Sequence, residues 1–479
     1  MKLLIYNTLS RTKENFLPLK KGEVGIYVCG PTVYGDSHIG HAKSYVSFDI
    51  IVRYLRYSGY KVKYVQNITD VGHLVGDIDE GEDKIEKQSK LEKKHPMEIA
   101  ELYTQSYFSD MDKLNILRPD ISPRATGHIT EQIEMVKNLI SKGFAYEVNG
   151  SVYFEVNKFK GYGKLSNRKV DELSEGTRIV VSKEKRHSAD FALWKKAEKG
   201  HIMQWQSPWG NGYPGWHLEC SAMSMKYLGE SFDIHGGGIE NQFPHHECEI
   251  AQSEAVTKKP FVKYWLHNNM VTVDGKKMGK SLGNFTTLKQ AFEKFNPLEI
   301  RFFILQSHYR STLDFSETAI EGAKKGYEKL LNVYSQLKEF SENKNYGEAS
   351  ISLKKYNDDF ITAMNDDFNT PQAIAVMFDL SKEINKITSS ENLLNKKSTT
   401  DVLQFITEKG KDILGLFSDE NLKTESAIDK ELIELLIQTR NEARKLKQFS
   451  LSDFIRDNLS ELGIILEDKK DKTEWKKKK

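Results

Sequence analysis

The sequence predicts an α/β protein: a doubly wound parallel sheet, split by a mixed insertion and followed by an all-helical C-terminal domain. Three observations carry this reading. A strand–helix–strand pattern runs from Val24 to Gln66. An Asn149-Gly150 hairpin lies in a stretch of different character, before strand and helix patterns resume at Gly215. Beyond Ser307 the chain is poor in strand signals.

Taken in order, Val24 to Cys29 is a short apolar run rich in β-branched and aromatic residues, as expected of a strand buried on both faces. Gly30-Pro31 ends it. In Gly40 to Ser58 the residues Ala42, Val46, Ile50 and Leu55 fall near helical spacing, and Gly59 suits the C-terminal cap. Lys61 to Gln66 alternates like a second strand. The crossover of such a unit is right-handed, and ligands bind beyond the carboxyl ends of its strands. The domain is therefore Rossmann-like, with Cys29 and His38-Ile39-Gly40-His41 at its ligand edge.

From about Asp70 to His201 the pattern changes. Charged stretches surround Glu80 to His95, and Ile129, Ile133, Val136 and Ile140 mark an amphipathic helix ending at Gly143. Phe144 to Val148 and Ser151 to Val156 flank Asn149-Gly150, the dipeptide suited to a type I′ turn because both central residues need positive φ. The main pattern resumes with a helix near Gly215 to Leu228, a strand at Phe232 to His235 closed by a Gly236-Gly237-Gly238 turn, a helix after Pro244, and a strand near Phe261 to Leu266. Ile320 to Leu337 and Pro371 to Ile387 then read as helices. The expected divisions are 1–120 and 201–266 for the two halves of the sheet domain, 121–200 for the insertion, 267–310 for a lysine-bearing loop region, and 311–479 for the helical part.

At 479 residues the chain is long enough for several cores. Its 70 basic and 68 acidic side chains nearly balance, so no global field advertises nucleic acid or a membrane surface. Leu3 to Tyr6 is too short for a signal-peptide core, and no run approaches the roughly 20 apolar residues of a membrane span. A cytoplasmic location is expected. The three cysteines, Cys29, Cys220 and Cys248, are few, odd in number and widely spaced, which argues against a disulfide framework and leaves free thiols or metal ligands.

Histidines at a helix N-terminus can bond phosphate oxygens where orphan N–H groups and the helix dipole already favour anions, and Gly40 between them lets a nucleotide lie close. An isolated His-x-x-His at a helix start is otherwise a capping pair. A zincin reading fails, because Ile39-Gly40 stand where that motif carries a glutamate. Downstream, Gly275-Lys276-Lys277-Met278-Gly279-Lys280-Ser281 ends like a phosphate-binding P-loop, yet three residues separate its glycines where four are required. It reads instead as a mobile loop whose Lys277 and Lys280 close over pyrophosphate as charge develops. Alone such a loop is a solvated turn; paired with His38 and His41 it suggests a grip on a nucleoside triphosphate from two sides.

A third constellation joins Gly215-Trp216-His217-Leu218-Glu219-Cys220 to Phe243-Pro244-His245-His246-Glu247-Cys248-Glu249. His245 and Glu249, four apart, share a helix face. With Cys220 and Cys29 they make a donor set acceptable to zinc, and His246 and Cys248 are rival ligands. Small buried cysteines beside a polar helix start would produce the same spacing, so spacing alone leaves both readings open.

Over essentially its whole length the chain resembles bacterial cysteinyl-tRNA synthetases, class I aminoacyl-tRNA synthetases. The resemblance rests on Tyr27-Val28-Cys29-Gly30-Pro31-Thr32-Val33-Tyr34, on the histidine motif at 38–41, on Asn67-Ile68-Thr69-Asp70, on Gly215 to Met223, on Phe232 to Ser253, and on the Lys277 to Ser281 loop. Met364 to Pro371 and Arg440 to Asp468 look like the family's helical, anticodon-binding end. The resemblance implies zinc on Cys29, Cys220, His245 and Glu249. It also implies attack of the L-cysteine carboxylate on the α-phosphorus of ATP, with Mg²⁺, and transfer of the activated cysteine to the terminal adenosine of tRNA(Cys). His38, His41, Lys277 and Lys280 would stabilise phosphate charge; Gly40, Gly236 and Gly237 would admit the nucleotide; Gly30, Thr69 and Trp216 would wall the amino-acid pocket. The expected enzyme is a monomer that selects its thiol substrate through zinc, without an editing domain. Two departures stand out. Gly279 replaces the serine usual in the lysine loop, so slower activation is expected, and Phe449 stands where many relatives carry tryptophan, near Asp453 and Asp468. A ligase joining activated cysteine to a small amine, and a catalytically silent RNA-binding paralogue, are the alternatives. The 170-odd residues after Tyr309 argue against the first, and retention of both histidines and both lysines argues against the second.

Overall fold

A computed structural model describes residues 2–75, 81–168, 184–278, 284–388, 393–418, 427–468 and 473–477. The chain divides into two compact units, Met1–Leu416 and Phe417–Lys479.

The first unit is organised on four parallel strands: β1 (Glu23–Val28), β2 (Lys61–Gln66), β3 (Phe232–Gly238) and β4 (Val262–Asn268), in the spatial order β4-β3-β1-β2. Register is set by pairs such as Tyr27 with Val65, His235 with Tyr27, and His235 with Trp265. Between β1 and β2 runs α1 (Ile39–Tyr57), followed by Gly59 at φ +87°, the left-handed exit its glycine permits. β3 lies on the opposite side of β1 from β2, so the connections reverse at the β1/β3 boundary. That boundary is where an α/β sheet opens a crevice for ligands. The helices α2 (Trp216–Leu228) and α3 (His245–Thr257) complete the second half, and Tyr27, Val65, Phe232, Trp265 and Phe261 pack a common core.

The three glycines at the end of β3 continue the strand to Gly238, paired with Asn268, where a tight turn was expected. Their lack of side chains serves close packing. A Cβ on Gly236 would lie 2.2 Å from the ring of Phe48 on α1, and one on Gly237 would lie 2.8 Å from the His246 ring. A run of glycines reads locally as a turn because no side-chain periodicity reveals the strand.

The insertion holds the expected helix, Ile129–Ser141, and the expected hairpin, with Asn149 at φ +53° and Gly150 at +88° and Val148 facing Ser151. Its five strands are all antiparallel to their neighbours, in the order Ala145–Val148, Ser151–Phe154, Phe191–Lys196, Gly210–Pro214, Trp205–Ser207. This sheet therefore runs on past residue 200 to Pro214. Its last two strands are short and carry little apolar alternation.

Beyond Ser307 the first unit is mainly helical, with Glu317–Glu342, Lys354–Asn365, Thr370–Thr388 and Lys396–Ile406. One short strand, Leu313–Phe315, pairs parallel with Val271–Val273, which itself pairs with Lys276–Lys277. In the second unit, the helices Ala427–Lys445 and Phe449–Glu461 are followed by a hairpin of Ile464–Asp468 and Thr473–Lys477. An all-helical reading missed both. The hairpin's second strand, Thr-Glu-Trp-Lys-Lys, is dominated by charge, so it reads locally as a solvated tail.

Candidate active site

A cavity of about 310 Å³ opens at the β1/β3 crevice, bounded by the residues that follow the strands' carboxyl ends: Cys29 to Thr32 after β1, Asn67 and Thr69 after β2, and Asn268 to Val271 at and after the end of β4. Gly238, the last residue of β3, lines it too, whereas Gly236 and Gly237 do not. Gly30 is required by close approach. Its N–H donates to Asn67 Oδ1 at 2.8 Å, and a Cβ there would sit 1.6 Å from the Asn67 carbonyl oxygen.

At one end, Cys29, Cys220, His245 and Glu249 offer ligand atoms that all lie within 4.8 Å of one another. The helices supply three of them: Cys220 from α2, and His245 and Glu249 one turn apart at the start of α3, with His245 Nε2 3.1 Å from Glu249 Oε1. Cys29 follows β1 and places its Sγ 3.9 Å from that of Cys220. Burial pushes the Cys29 thiol well up, and the neighbouring Cys220 and Glu249 add to it; burial likewise raises Cys220. Two crowded thiols and a buried carboxylate fit a soft dication, whose charge reverses this logic and favours thiolates. Behind them, His235 meets Glu249 Oε2 at 2.7 Å, which turns the other carboxylate oxygen toward the cluster.

A second set, Cys29, His235, His246 and Glu249, is equally compact. His246 stands 3.2 Å from Cys29 Sγ through Nε2, while its Nδ1 meets His267 at 2.8 Å. The first set is the better placed for chemistry, because Cys29, Cys220 and His245 line the cavity and His235 and His246 do not. Cys248 belongs to neither. Its sulfur packs 3.3 Å from the Tyr162 hydroxyl in the core.

Above this cluster, Trp216 stacks on His73 with ring centroids 3.9 Å apart and lies 4.3 Å from the His245 ring. Thr69 Oγ1 donates to Glu219 Oε2 at 2.9 Å and accepts from Asn67 Nδ2 at 3.0 Å. Burial raises the Glu219 carboxyl well above its ordinary value.

At the other end, His38 caps α1 and stacks on His41 at 3.8 Å, and His41 Nδ1 accepts the His38 backbone N–H at 3.3 Å. Both rings line the cavity. Gly40 keeps the approach open, since a Cβ there would lie 2.8 Å from the His38 ring and 3.4 Å from Met278. Met278, at the start of the lysine loop, lines the same cavity, and the Leu288 N–H bonds to the Ser37 carbonyl at 2.8 Å. Loop and histidine motif are thus neighbours. The side chain of Lys277 and all of Gly279 and Lys280 lie outside the described residues.

Thr32, His73, Glu219 and His235 belong to this site and were not singled out by sequence reasoning. None repeats at a motif spacing. His235 reads as the last residue of the short strand run Phe232-Asp233-Ile234-His235, and Glu219 reads as an ordinary first-turn acid.

A parallel sheet with His-Ile-Gly-His at its switch point and a lysine loop beside it defines a class I synthetase active site. Residues 15–325 match the family model described as tRNA synthetases class I (C) catalytic domain, and residues 359–418 match the DALR domain. A Chlorobium chlorochromatii protein named Cysteine--tRNA ligase is 58% identical over 483 residues, covering 99% of each chain; one of that name from Thermus thermophilus is 49% identical over 484 residues, again 99% of each. The fold alone is shared with Mycobacterium tuberculosis methionyl-tRNA synthetase in complex with methionyl-adenylate, at 13% identity and a TM-score of 0.57 over 82% of this chain and 88% of that one. The chain belongs to the cysteine--tRNA ligase family of class I tRNA synthetases. Among the described residues, no helix is long and apolar enough to cross a membrane.

Proposed function

We propose that the protein activates L-cysteine with ATP and transfers it to the 3′-terminal adenosine of tRNA(Cys). The observation that carries this reading is a thiol-competent donor cluster, Cys29, Cys220, His245 and Glu249, at one end of a cavity whose other end is walled by His38 and His41. Zinc is the ion we assign to the cluster: it binds a thiolate and lowers a thiol's pKa, whereas an alcohol is harder to ionise and a poorer partner for a soft site. Serine, which differs by oxygen for sulfur, is therefore rejected without an editing step.

The chain's own groups do the rest. The substrate carboxylate is already ionised near pH 7, so no general base is required. One carboxylate oxygen forms a bond to the α-phosphorus as the bond to pyrophosphate breaks. ATP enters with Mg²⁺. His38 and His41 donate to phosphate oxygens at the α1 N-terminus, and Lys277 and Lys280 close from the loop to stabilise the charge spread over the leaving pyrophosphate. Gly30, Thr69 and Trp216 hold the amino acid so that its carboxylate faces the nucleotide, which Gly40 and, at the end of β3, Gly238 admit; Gly236 and Gly237, expected to do so, pack against Phe48 and His246 instead. Positioning supplies most of the rate. The DALR match at 359–418 supports tRNA over a small amine as acceptor. We take the enzyme to be a cytoplasmic monomer.

Aminoacylation of purified tRNA with labelled cysteine and serine, beside metal analysis of wild type and Cys220→Ser, tests the reading. Cysteine charging with strong rejection of serine, and loss of metal in Cys220→Ser, is the expected result. Equal charging of both amino acids would refute it.

A further inference from the structure

Thr32, His73 and Lys84 form a hydrogen-bonded chain that reaches the cavity. Thr32 Oγ1 lies 2.5 Å from His73 Nδ1, and His73 Nε2 lies 2.7 Å from Lys84 Nζ. The backbone holds all three in place. Thr32 is clamped beside Thr69, with the Val33 N–H on the Thr69 carbonyl at 3.1 Å and the Thr69 N–H on the Pro31 carbonyl at 3.0 Å. The Lys84 N–H bonds to the His73 carbonyl at 2.9 Å, and Asp83 caps the helix that Lys84 begins. The His73 ring is further held by its stack on Trp216, 9° from parallel.

The polarity of this chain follows from which groups can donate. An ammonium has three donors and no acceptor, so Lys84 must donate and His73 Nε2 must accept. The imidazole is then neutral with its proton on Nδ1, because the tautomer is set by the bond the other nitrogen makes. That proton goes to Thr32 Oγ1. The Thr32 hydroxyl therefore accepts from the imidazole, and its own hydrogen points elsewhere. Thr32 and His73 both line the cavity, at the end occupied by Cys29, Thr69 and Trp216.

We infer that Lys84 and His73 are positioning residues that aim the Thr32 hydroxyl hydrogen into the cavity, where it donates to a carboxylate oxygen of the bound amino acid. This rests on the cysteine-activating reading above. The amino-acid end of the cavity already offers sulfur-binding donors and an aromatic wall; a fixed hydroxyl donor supplies recognition of the substrate's anionic group. Without Lys84, the imidazole proton is free to move to Nε2, and the Thr32 hydrogen turns inward to Nδ1.

The test is cysteine-dependent ATP–pyrophosphate exchange with the full chain, comparing Thr32→Val, Lys84→Met, Lys84→Arg and the Thr32→Val/Lys84→Met double variant. A hydrogen bond to a charged group corresponds to about ten-fold or more in affinity, so Thr32→Val should raise KM for cysteine by about that factor and leave KM for ATP unchanged. Lys84→Met should raise the same KM by a smaller factor. Lys84→Arg, also a pure donor, should stay near wild type, and the double variant should match Thr32→Val alone. Multiplicative effects in the double variant, an unchanged KM in Lys84→Met, or a Lys84→Arg as impaired as Lys84→Met would each overturn the inference. A wild type that shows no cysteine-dependent exchange would instead overturn the functional reading on which it stands.

Discussion

Arg301 is buried without exposure and ties three segments together, so its removal tests how α1 is held. Its Nε donates to the Leu414 carbonyl at 2.8 Å, Nη1 to the Leu114 and Asn115 carbonyls at 3.0 Å each, and Nη2 to Asp49 Oδ2 at 2.5 Å. Asp49 lies on α1 eight residues after His41 and also receives Arg53 Nε at 2.7 Å and the Leu117 N–H at 2.8 Å. Arg301→Met keeps the apolar stem but leaves three carbonyls without this donor, at about 1 kcal/mol each, and a buried carboxylate with one cation fewer. Breaking a buried pair costs about 3–5 kcal/mol, and the two estimates agree near 4. At about 1.4 kcal/mol per decade, amides that exchange through opening of this region should lose roughly a thousand-fold in protection. The Ile116 and Leu416 N–H groups, bonded to the Met111 and Gly410 carbonyls, are the reporters, read by hydrogen exchange with mass spectrometry. Acid adds a second readout. Burial pushes the Asp49 carboxyl up, but Arg53 and Arg301 with the Leu117 N–H outweigh it and leave the net value below 3.8. Its stabilisation is thus present above 3.8 and lost as pH falls through the lower folded value. Arg301→Met brings the folded value up, so its protection should fall less than that of wild type as pH drops below 3.8. Exchange within three-fold of wild type at both reporters would show that Arg301 does not hold this region.

Three further outcomes follow from the geometry. Asp110 Oδ2 has no hydrogen-bond partner among the described residues, and burial pushes the carboxyl up to about 6, so the folded state holds its proton more tightly than the unfolded chain and stability falls as pH rises from 3.8 through 6; Asp110→Asn should raise the thermal midpoint at pH 7.5 and leave it unchanged at pH 4, and equal shifts at both would contradict this. Gly30→Ala must displace the Asn67 backbone, and misplacement by about 1 Å at a reacting centre costs on the order of a hundred-fold, so cysteine-dependent exchange should drop at least that far; near-normal exchange would disprove the close approach. His235→Phe keeps a ring against Trp265 but removes the bond to Glu249, so zinc affinity in chelator competition should weaken by about 10- to 100-fold, and an unchanged affinity would remove His235 from that supporting role.

Much of the fold was legible locally. The Asn149-Gly150 turn, the Gly59 exit and the strand at Lys61–Gln66 each follow from backbone preferences that a few adjacent residues express. The glycines at 236–238 misled for the same reason: a strand whose side chains are absent carries no periodicity, and the rings that need the space come from Phe48 and His246, far along the chain or on another element. The candidate site divides the same way. His245 and Glu249 could be placed on one face by helical spacing. That Cys248 turns into the core could not, since position on the helix does not reveal which face meets Tyr162.

The identities of the donors and the order of strand and helix were written in the linear chain, because periodicity, caps and turns act over a few residues. Which donors meet was decided only in three dimensions. Cys29 and Cys220 are 191 positions apart and come within 3.9 Å because β1 and α2 pack at the crevice of one sheet. The choice between the two compact ligand sets, and the recruitment of Thr32, His73 and His235, depends on distances between segments that no local preference encodes.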